Sequence, residues 1–322
     1  MNQLLEKKIK IRDGKKRHIN FSYFLIGATR LNELFITRRN QILWTYSIIL
    51  IVLILAVIAI YLYNQNHWVG LTRFQLTIPY LATSLKNKKI VHISDLHIPR
   101  NNVSLEKIIN LTRDEKPSLV VLTGDLVDVR GELPKIELAQ FAKELVEIAP
   151  TFAVTGNHDL NSGHLQEWEN ILTAAGVRVL IDEAEWLQIE NAGLVVMGLS
   201  EKENFKTLSV PLLNGIQLNE GMQEQPKLLL AHHPEFFEQY YLDKTKAPDI
   251  TFTGHAHGGQ VRVPFIGGLF APGQGRFPKY TSGVYYHPEM KSKRMVVSRG
   301  IGNSSFPFRI NNRPELVVVT LN

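Results

Sequence analysis

Five short segments of this chain carry residues able to bind metal ions, and each stands where an apolar run gives way to polar residues. They are Ser94-Asp95-Leu96-His97, Gly124-Asp125-Leu126-Val127-Asp128, Gly156-Asn157-His158-Asp159, His232-His233-Pro234 and Gly254-His255-Ala256-His257-Gly258-Gly259-Gln260. The donors are oxygen and nitrogen, which suits Mn, Fe or Zn. The chain has no cysteine, so thiolate metal sites, disulfides and cysteine nucleophiles are all excluded. Asp95, His97, Asp125, Asn157, His232, His255 and His257 make seven candidate ligands, more than one ion can use. Two ions about 3.5 to 4 Å apart can share a carboxylate, and Asp125 is the candidate bridge. Two divalent cations with two carboxylates and neutral His and Asn ligands keep a net positive charge, which attracts a phosphate ester. Such ions lower the pKa of bound water to about 7, so a bridging hydroxide is the expected nucleophile. His158, beside Asn157, is assigned to protonating the leaving oxygen or holding a phosphoryl oxygen. Asp128 or Asp159 is assigned to orienting a ligand.

These segments need elements that bring them together. Asp95 and His97 are two apart, as are His255 and His257, so each pair can face one side of an extended turn. Short β-branched runs alternate with helical periodicity: Lys89–Ser94 then a helix near Ser104–Arg113, Ser118–Thr123 then a helix near Leu133–Ile148, and Thr151–Thr155 then a helix near His164–Ala175. Strands follow at Val177–Ile181, Leu194–Met197, Lys227–Ala231 and Asp249–Thr253. Leu71–Leu81 reads as an earlier strand, followed by a polar turn over Ala82–Lys89. This alternation predicts an α/β core with helices on the sheet faces. In open sheets of that kind, ligands bind outside the carboxyl ends of strands, so the five turns should share a rim. Arg294–Ser298 and Glu315–Leu321, without intervening helices, predict a second, mixed sheet. The Gly/Pro-rich span from Pro264 to Gly283 reads as one long loop.

Ahead of this domain, Asn40 to Gln75 contains a single charged residue, Arg73, and Ile42–Tyr63 is almost wholly aliphatic and aromatic. Twenty-two helical residues span roughly 33 Å, enough to cross a bilayer core of about 30 Å. The segment therefore reads as a transmembrane helix and not as a core helix, which would not be apolar on every side. Residues 1–63 carry ten basic and three acidic side chains, an excess of seven positive charges: Lys7, Lys8, Lys10, Arg12, Lys15, Lys16, Arg17, Arg30, Arg38 and Arg39 against Glu6, Asp13 and Glu33. That bias predicts a cytoplasmic basic segment 1–41, a transmembrane helix 42–63 and an extracytoplasmic domain 68–322. Trp44, Tyr46, Tyr61 and Tyr63 suit the headgroup layers at the two ends. No small-residue cleavage pattern follows Tyr63, so the helix reads as an uncleaved anchor, and Arg38-Arg39 only weakly suggests a twin-arginine signal. The remaining 26 basic and 27 acidic residues leave a balance of −1, without the excess expected of a nucleic-acid binder.

The five blocks, in this order, resemble the calcineurin-like metallophosphoesterase superfamily, whose pattern runs Asp-x-His, Gly-Asp-x-x-Asp, Gly-Asn-His-Asp/Glu, His and Gly-His-x-His. The resemblance covers about Leu71 to Asn322. It implies a four-layer α/β/β/α sandwich and a metal-dependent hydrolase of phosphomonoesters or phosphodiesters. It also implies one ion held by Asp95, His97, Asp125 and His257, and a second held by Asp125, Asn157, His232 and His255. The ending Gly-His-Ala-His-Gly-Gly-Gln, with Pro314-Glu315-Leu316 near the close, is similar to the bacterial YkuE-type branch with an N-terminal anchor. Ala256 stands where that branch often carries Thr.

Taken singly, each block is more often an ordinary turn than a site; all five in order reverse that. His92, inside a strand, reads as a packed core histidine, and His233 as facing away from the metals. His18, His67, His164 and His287 read as solvated or peripheral. Arg262, Arg276 and Arg309 could clamp a phosphate or be ordinary surface cations. The short distance in sequence between anchor and domain points to a lipid headgroup, a lipid-linked pyrophosphate or a wall-polymer phosphate as substrate, with a general phosphatase as the alternative. The competing readings are a non-catalytic metal-binding scaffold and a nuclease. The first is disfavoured by the intact donor set and the second by the charge balance.

Overall fold

The computed structural model describes residues 21–203, 211–303 and 306–322. The basic cluster Lys7 to Arg17 and His18 therefore lie outside the described residues. The chain divides into two compact units, one ending at Ile60 and the other running from Tyr61 to the end. In the first, helix α1 (Phe21–His67) begins well before the apolar run, so the helix is longer than the 22 residues that hydropathy marks. Its most apolar stretch is long enough to cross a membrane, and none of it is buried.

The second unit holds the last turns of α1 and two six-stranded sheets. The first sheet is built from β1 (Gly70–Leu76), β2 (Lys89–Ile93), β3 (Leu119–Thr123), β4 (Thr151–Val154), β5 (Arg178–Val179) and a late strand, β16 (Glu315–Leu321), in the order β1-β16-β2-β3-β4-β5. Its neighbours run parallel except where β16 meets β2. Helices α2 (Leu105–Glu115), α3 (Lys135–Ile148) and α5 (Leu165–Ala174) cover one face, and the short α4 (Asn157–Asn161) follows β4. The bounds of α2 have local causes. Ser104 caps α2 by accepting from the Lys107 N–H, and Lys116 ends it in the left-handed region. The buried stripe of α2, with Ile108, Ile109 and Thr112, follows the helical period.

The second sheet runs β14-β15-β9-β8-β7-β6, from β6 (Glu183–Ile189), β7 (Ala192–Gly198), β8 (Lys227–Leu230), β9 (Ile250–Thr253), β14 (Gly283–Tyr286) and β15 (Arg294–Val297). The two sheets face one another across a core that includes Ile90, Val121, Phe152, Val196, Leu230, Phe252 and Val319. A third core, with Leu213, Phe237, Tyr240 and Tyr241, lies on the outer face of the second sheet beneath short 3-10 turns and loops. The result is a four-layer α/β/β/α sandwich in which the second outer layer is made of short turns.

Three expectations need correction. The closing strand β16 does not join the second sheet; its run Leu316 to Val319 is buried on both faces between β1 and β2. An apolar strand reads the same in either sheet, and only pairing decides. The span from Pro264 to Gly283 is not one long loop, because two short hairpins form there: β10 (Arg262–Val263) with β11 (Gly267–Gly268), and β12 (Phe270–Ala271) with β13 (Gly275–Arg276). His287 is buried, with its ring against Phe237 and Tyr241 and its Nδ1 accepting from the Glu289 and Met290 N–H groups.

Candidate metal centre

The turns after β2, β3, β4, β8 and β9 meet on one rim. Asp95, His97, Asp125, His255 and His257 have φ values of 54°, 54°, 53°, 63° and 45°, so five of the seven candidate donors sit in the left-handed region. Each such non-glycine residue costs on the order of 1 kcal/mol or more, a strain typical of functional sites. The paired donors are thus presented by tight left-handed turns and not by the extended segments that two-residue spacing suggests. Backbone bonds hold these turns: Asp95 N–H donates to Gly124 O at 3.0 Å and His97 N–H to Asp125 O at 3.0 Å. Gly124 (φ 87°) and Gly156 pack against each other, and a Cβ on Gly156 would lie 2.4 Å from Asp125 N.

Donor atoms converge in two groups that share Asp125: Asp95, His97, Asp125 and His257, and Asp125, His232 and His255. Asp125 Oδ1 accepts from the His158 N–H at 2.7 Å, leaving Oδ2 to face His232 Nε2 at 3.3 Å and His97 Nε2 at 3.8 Å. His232 Nδ1 lies 2.7 Å from the Thr123 carbonyl and must donate to it, so the neutral ring presents a lone pair at Nε2. Around that Nε2 stand Asp125 Oδ2, Asn157 Oδ1 at 3.2 Å and His255 Nδ1 at 3.2 Å. Several acceptor atoms facing a common point with almost no protons among them call for a cation. Burial opposes protonation of His232, yet the neighbouring Asp125 carboxylate holds its pKa well above the ordinary imidazole value. Asp125, despite its burial, is held well below the usual carboxylate range by His232. Both shifts state the same need for positive charge at the shared point.

In the other group, His97 Nε2 and His257 Nε2 face each other at 3.2 Å, and Asp95 Oδ1 is 3.5 Å from His257 Nε2. Burial pushes the His97 pKa down to about 4 and that of His257 well below its usual value, with the His97 ring and the Arg309 guanidinium adding to the latter. Both rings are neutral at pH 7, the form that ligates metals. Burial pushes Asp95 up to about 6. Its carboxylate also accepts from the His255 N–H at 2.9 Å, which ties the two halves of the rim together.

His158 lies against His97, with ring centroids 4.4 Å apart and the planes near perpendicular. Its Nδ1 accepts from the Val129 N–H at 3.1 Å, which places the proton of the neutral ring on Nε2. Asp159 ties the turns from behind, accepting from Val127 N–H at 3.1 Å and Gly156 N–H at 2.9 Å. Asp128 binds Arg130, and its other oxygen stands 3.9 Å from His97 Nδ1. His92 is a core residue, fully buried, bonded to Thr123 Oγ1 at 2.7 Å and edge-on to Phe252.

Of the three arginines, Arg309 is fully buried and belongs to the rim's support, not to a substrate surface. Its guanidinium donates to Arg299 O, Asn303 Oδ1 and Gly302 O and lies 3.4 Å from His257 Nδ1. Arg262, half-buried, donates to Gly258 O at 2.8 Å and Thr281 Oγ1 at 3.0 Å. Arg276 is exposed. Two features escape sequence reasoning. Glu201, just beyond β7, pairs with His233 at 2.9 Å, while Glu235 approaches the other nitrogen of His233 at 3.1 Å. The break from Gly198-Leu199 into Ser200-Glu201 was the available signal. Asn312 Nδ2 donates to His257 O at 2.7 Å, and Asn312 N–H donates to Gln65 Oε1 at 3.1 Å. That link joins residues 247 apart and leaves no pattern in the sequence.

Residues 88–259 match the family model for calcineurin-like phosphoesterases. The chain is 30% identical over 266 residues to the Escherichia coli phosphodiesterase YaeI, covering 80% of this chain and 90% of that one. It is 27% identical to the Bacillus subtilis metallophosphoesterase YkuE, over 80% of this chain and 87% of that one. A Danio rerio transmembrane protein with a metallophosphoesterase domain is 26% identical over 85% of this chain and 62% of its own length. The chain belongs to the calcineurin-like phosphoesterase family. It is a hydrolase of that family, with clustered His and Asp residues suited to divalent ions and an N-terminal helix that points to a membrane protein.

Proposed function

We propose that this protein is a membrane-anchored phosphoesterase in which Asp95, His97, Asp125 and His257 hold one divalent ion and Asp125, Asn157, His232 and His255 hold another. The carrying observation is Asp125, whose Oδ2 faces both His232 Nε2 and His97 Nε2 while its Oδ1 is fixed by the His158 N–H. When bound, the ions would supply Lewis acidity and a water nucleophile of lowered pKa. The chain's residues do the rest. The left-handed turns aim the donors, burial keeps the His97, His255 and His257 rings neutral, and Asp95 fixes the second half of the rim through the His255 N–H. His158, with its proton on Nε2, protonates the leaving oxygen. A diester is the favoured substrate class, because the relative YaeI is named a phosphodiesterase. The positive bias of the N-terminal segment supports an extracytoplasmic domain, with its ester in the lipid layer or an envelope polymer.

The test is Asp125→Asn in the full chain. Hydrolysis of bis-p-nitrophenyl phosphate should fall by roughly a thousand-fold or more. Elemental analysis should show fewer than two ions bound, with circular dichroism unchanged. Retained turnover with two ions bound would refute the bridging role.

A further inference from the structure

The two hairpins that follow the metal-site turns expose apolar residues that a water-facing loop does not need. Phe265 is fully exposed, Ile266 is 62% exposed and Phe277 is 68% exposed, with Phe270 beside them in β12. Phe265 and Phe277 are also held in the left-handed region, at φ 67° and 52°, where a bulky aromatic is uncommon. The neighbouring segment adds the half-exposed Phe306 and Phe308, whose carbonyls accept from the Gln260 side chain. Exposed apolar residues gathered in this way mark an interaction surface.

What covers it is indicated by the bonds at the base of the hairpins. Tyr61, in the last part of the apolar run, donates from its hydroxyl to Asn311 Oδ1 at 2.6 Å, and Asn311 Nδ2 donates to Arg262 O, the first residue of β10. Trp68, just past the apolar run and also exposed, carries the Arg313 guanidinium over its ring at 4.9 Å. At Tyr61 the end of the apolar run is therefore linked through Asn311 to the hairpin that begins at Arg262 and presents Phe265 and Ile266. Aromatic residues with cations at their edge suit the layer between headgroups and acyl chains.

We propose that the hairpins over residues 262–277 dock into the lipid surface, with Phe265, Ile266 and Phe277 entering the bilayer interface. The base of the docked surface is bonded to the donor turn itself, since Arg262 donates to Gly258 O, one residue from His257. Docking therefore holds the metal-site rim at headgroup level. Together with the hydrolase reading above, on which this last step rests, it directs the site toward phosphate esters carried by lipids.

The absence of cysteine permits a direct test in the full-length protein. Single Phe265→Cys, Phe277→Cys and, as a reference on α3, Ile136→Cys variants are labelled with an environment-sensitive fluorophore. They are then reconstituted into phosphatidylethanolamine–phosphatidylglycerol vesicles containing lipid that carries a spin-label quencher just below the headgroup. Ile136 is 79% exposed, so it reports a water-facing apolar site. The labels at 265 and 277 should be blue-shifted, quenched by the lipid-borne spin label and shielded from aqueous iodide, while the label at 136 behaves oppositely. Iodide quenching at 265 and 277 equal to that at 136 overturns the proposal. So does shielding from iodide without spin-label quenching, which would show a second copy of the chain covering the surface. A triple Phe265→Ser, Ile266→Ser, Phe277→Ser variant supplies a second readout. It should keep its rate on water-soluble bis-p-nitrophenyl phosphate and lose roughly ten-fold or more on a chromogenic phosphodiester anchored in the same vesicles. Equal rates on the anchored ester for the variant and the unmodified chain overturn docking. Loss of hydrolysis on both substrates by the unmodified chain would count against the phosphoesterase reading, leaving the fluorescence result to stand by itself.

Discussion

The two halves of the rim are built by different means. The first sheet contributes Asp95, His97, Asp125 and Asn157 from turns after β2, β3 and β4, three adjacent parallel strands backed by the amphipathic helices α2, α3 and α5. The second sheet contributes His232, His255 and His257 from turns after β8 and β9, and its outer face is covered by short turns and hairpins. The first half is held locally, by the close contact between Gly124 and Gly156 and by Asp159 accepting from the Val127 and Gly156 N–H groups. The second is held by side chains from far along the sequence: Arg309 and Asn312 on His257, and the Glu201–His233 pair whose ring lies 4.2 Å from that of His255. A donor set can thus be made rigid either by local close packing or by a distant polar network, and each responds to damage in its own way.

The largest effect is expected in the first half. Gly156→Ala would set a methyl 2.4 Å from both Asp125 N and Asp125 Oδ1, where no flexible side chain can yield. It should cost about 3 kcal/mol or more and remove both metal binding and turnover. Thermal unfolding with ion counting checks this, and a variant that keeps two ions would remove the contrast between the halves. Arg309→Met should act on one side only. It takes away the guanidinium bonded to Arg299 O and Asn303 Oδ1, so the affinity of the site at His257 should drop by about ten- to a hundred-fold while the ion near Asn157 and His232 persists. Calorimetric titration with Mn resolves the two events, and equal weakening of both would show that the polar network serves the whole rim.

The smallest effect concerns the shared core. Burial lowers the His92 pKa from 6.5 to about 3, so the unfolded chain takes up a proton more readily than the folded one. The stability due to a neutral His92 is therefore complete above pH 6.5 and lost progressively as pH falls from 6.5 toward 3. His92→Gln, which keeps a polar partner for Thr123 but cannot titrate, should move the acid unfolding midpoint to lower pH. An unchanged acid midpoint would assign the acid sensitivity to the rim instead.

Much of the first half is legible in the chain because its causes are local. Lys89 to Ile93 and Leu119 to Thr123 are short β-branched runs that break into Asp-x-His and Gly-Asp, and the helix between them follows a period set by its own residues. β6 and β14 leave little trace in the sequence because their faces are only half-buried and their apolar content is diluted. The role of Arg309 is not legible in the sequence, because nothing near it shows that Gly302, Asn303 and Arg299 will enclose it.

The sequence by itself determined the donor types, their order along the chain, the apolar segment and the alternation of strand and helix, since all of these depend on residue identity and short-range periodicity. The tertiary structure alone decided that β16 enters the first sheet, that Asp125 turns one oxygen toward both imidazole sets, and that Gln65 and Asn66 meet Asn312 and Arg309. Those outcomes depend on which surfaces pack together and which buried polar groups find partners, and that is settled by contacts between residues far apart in sequence.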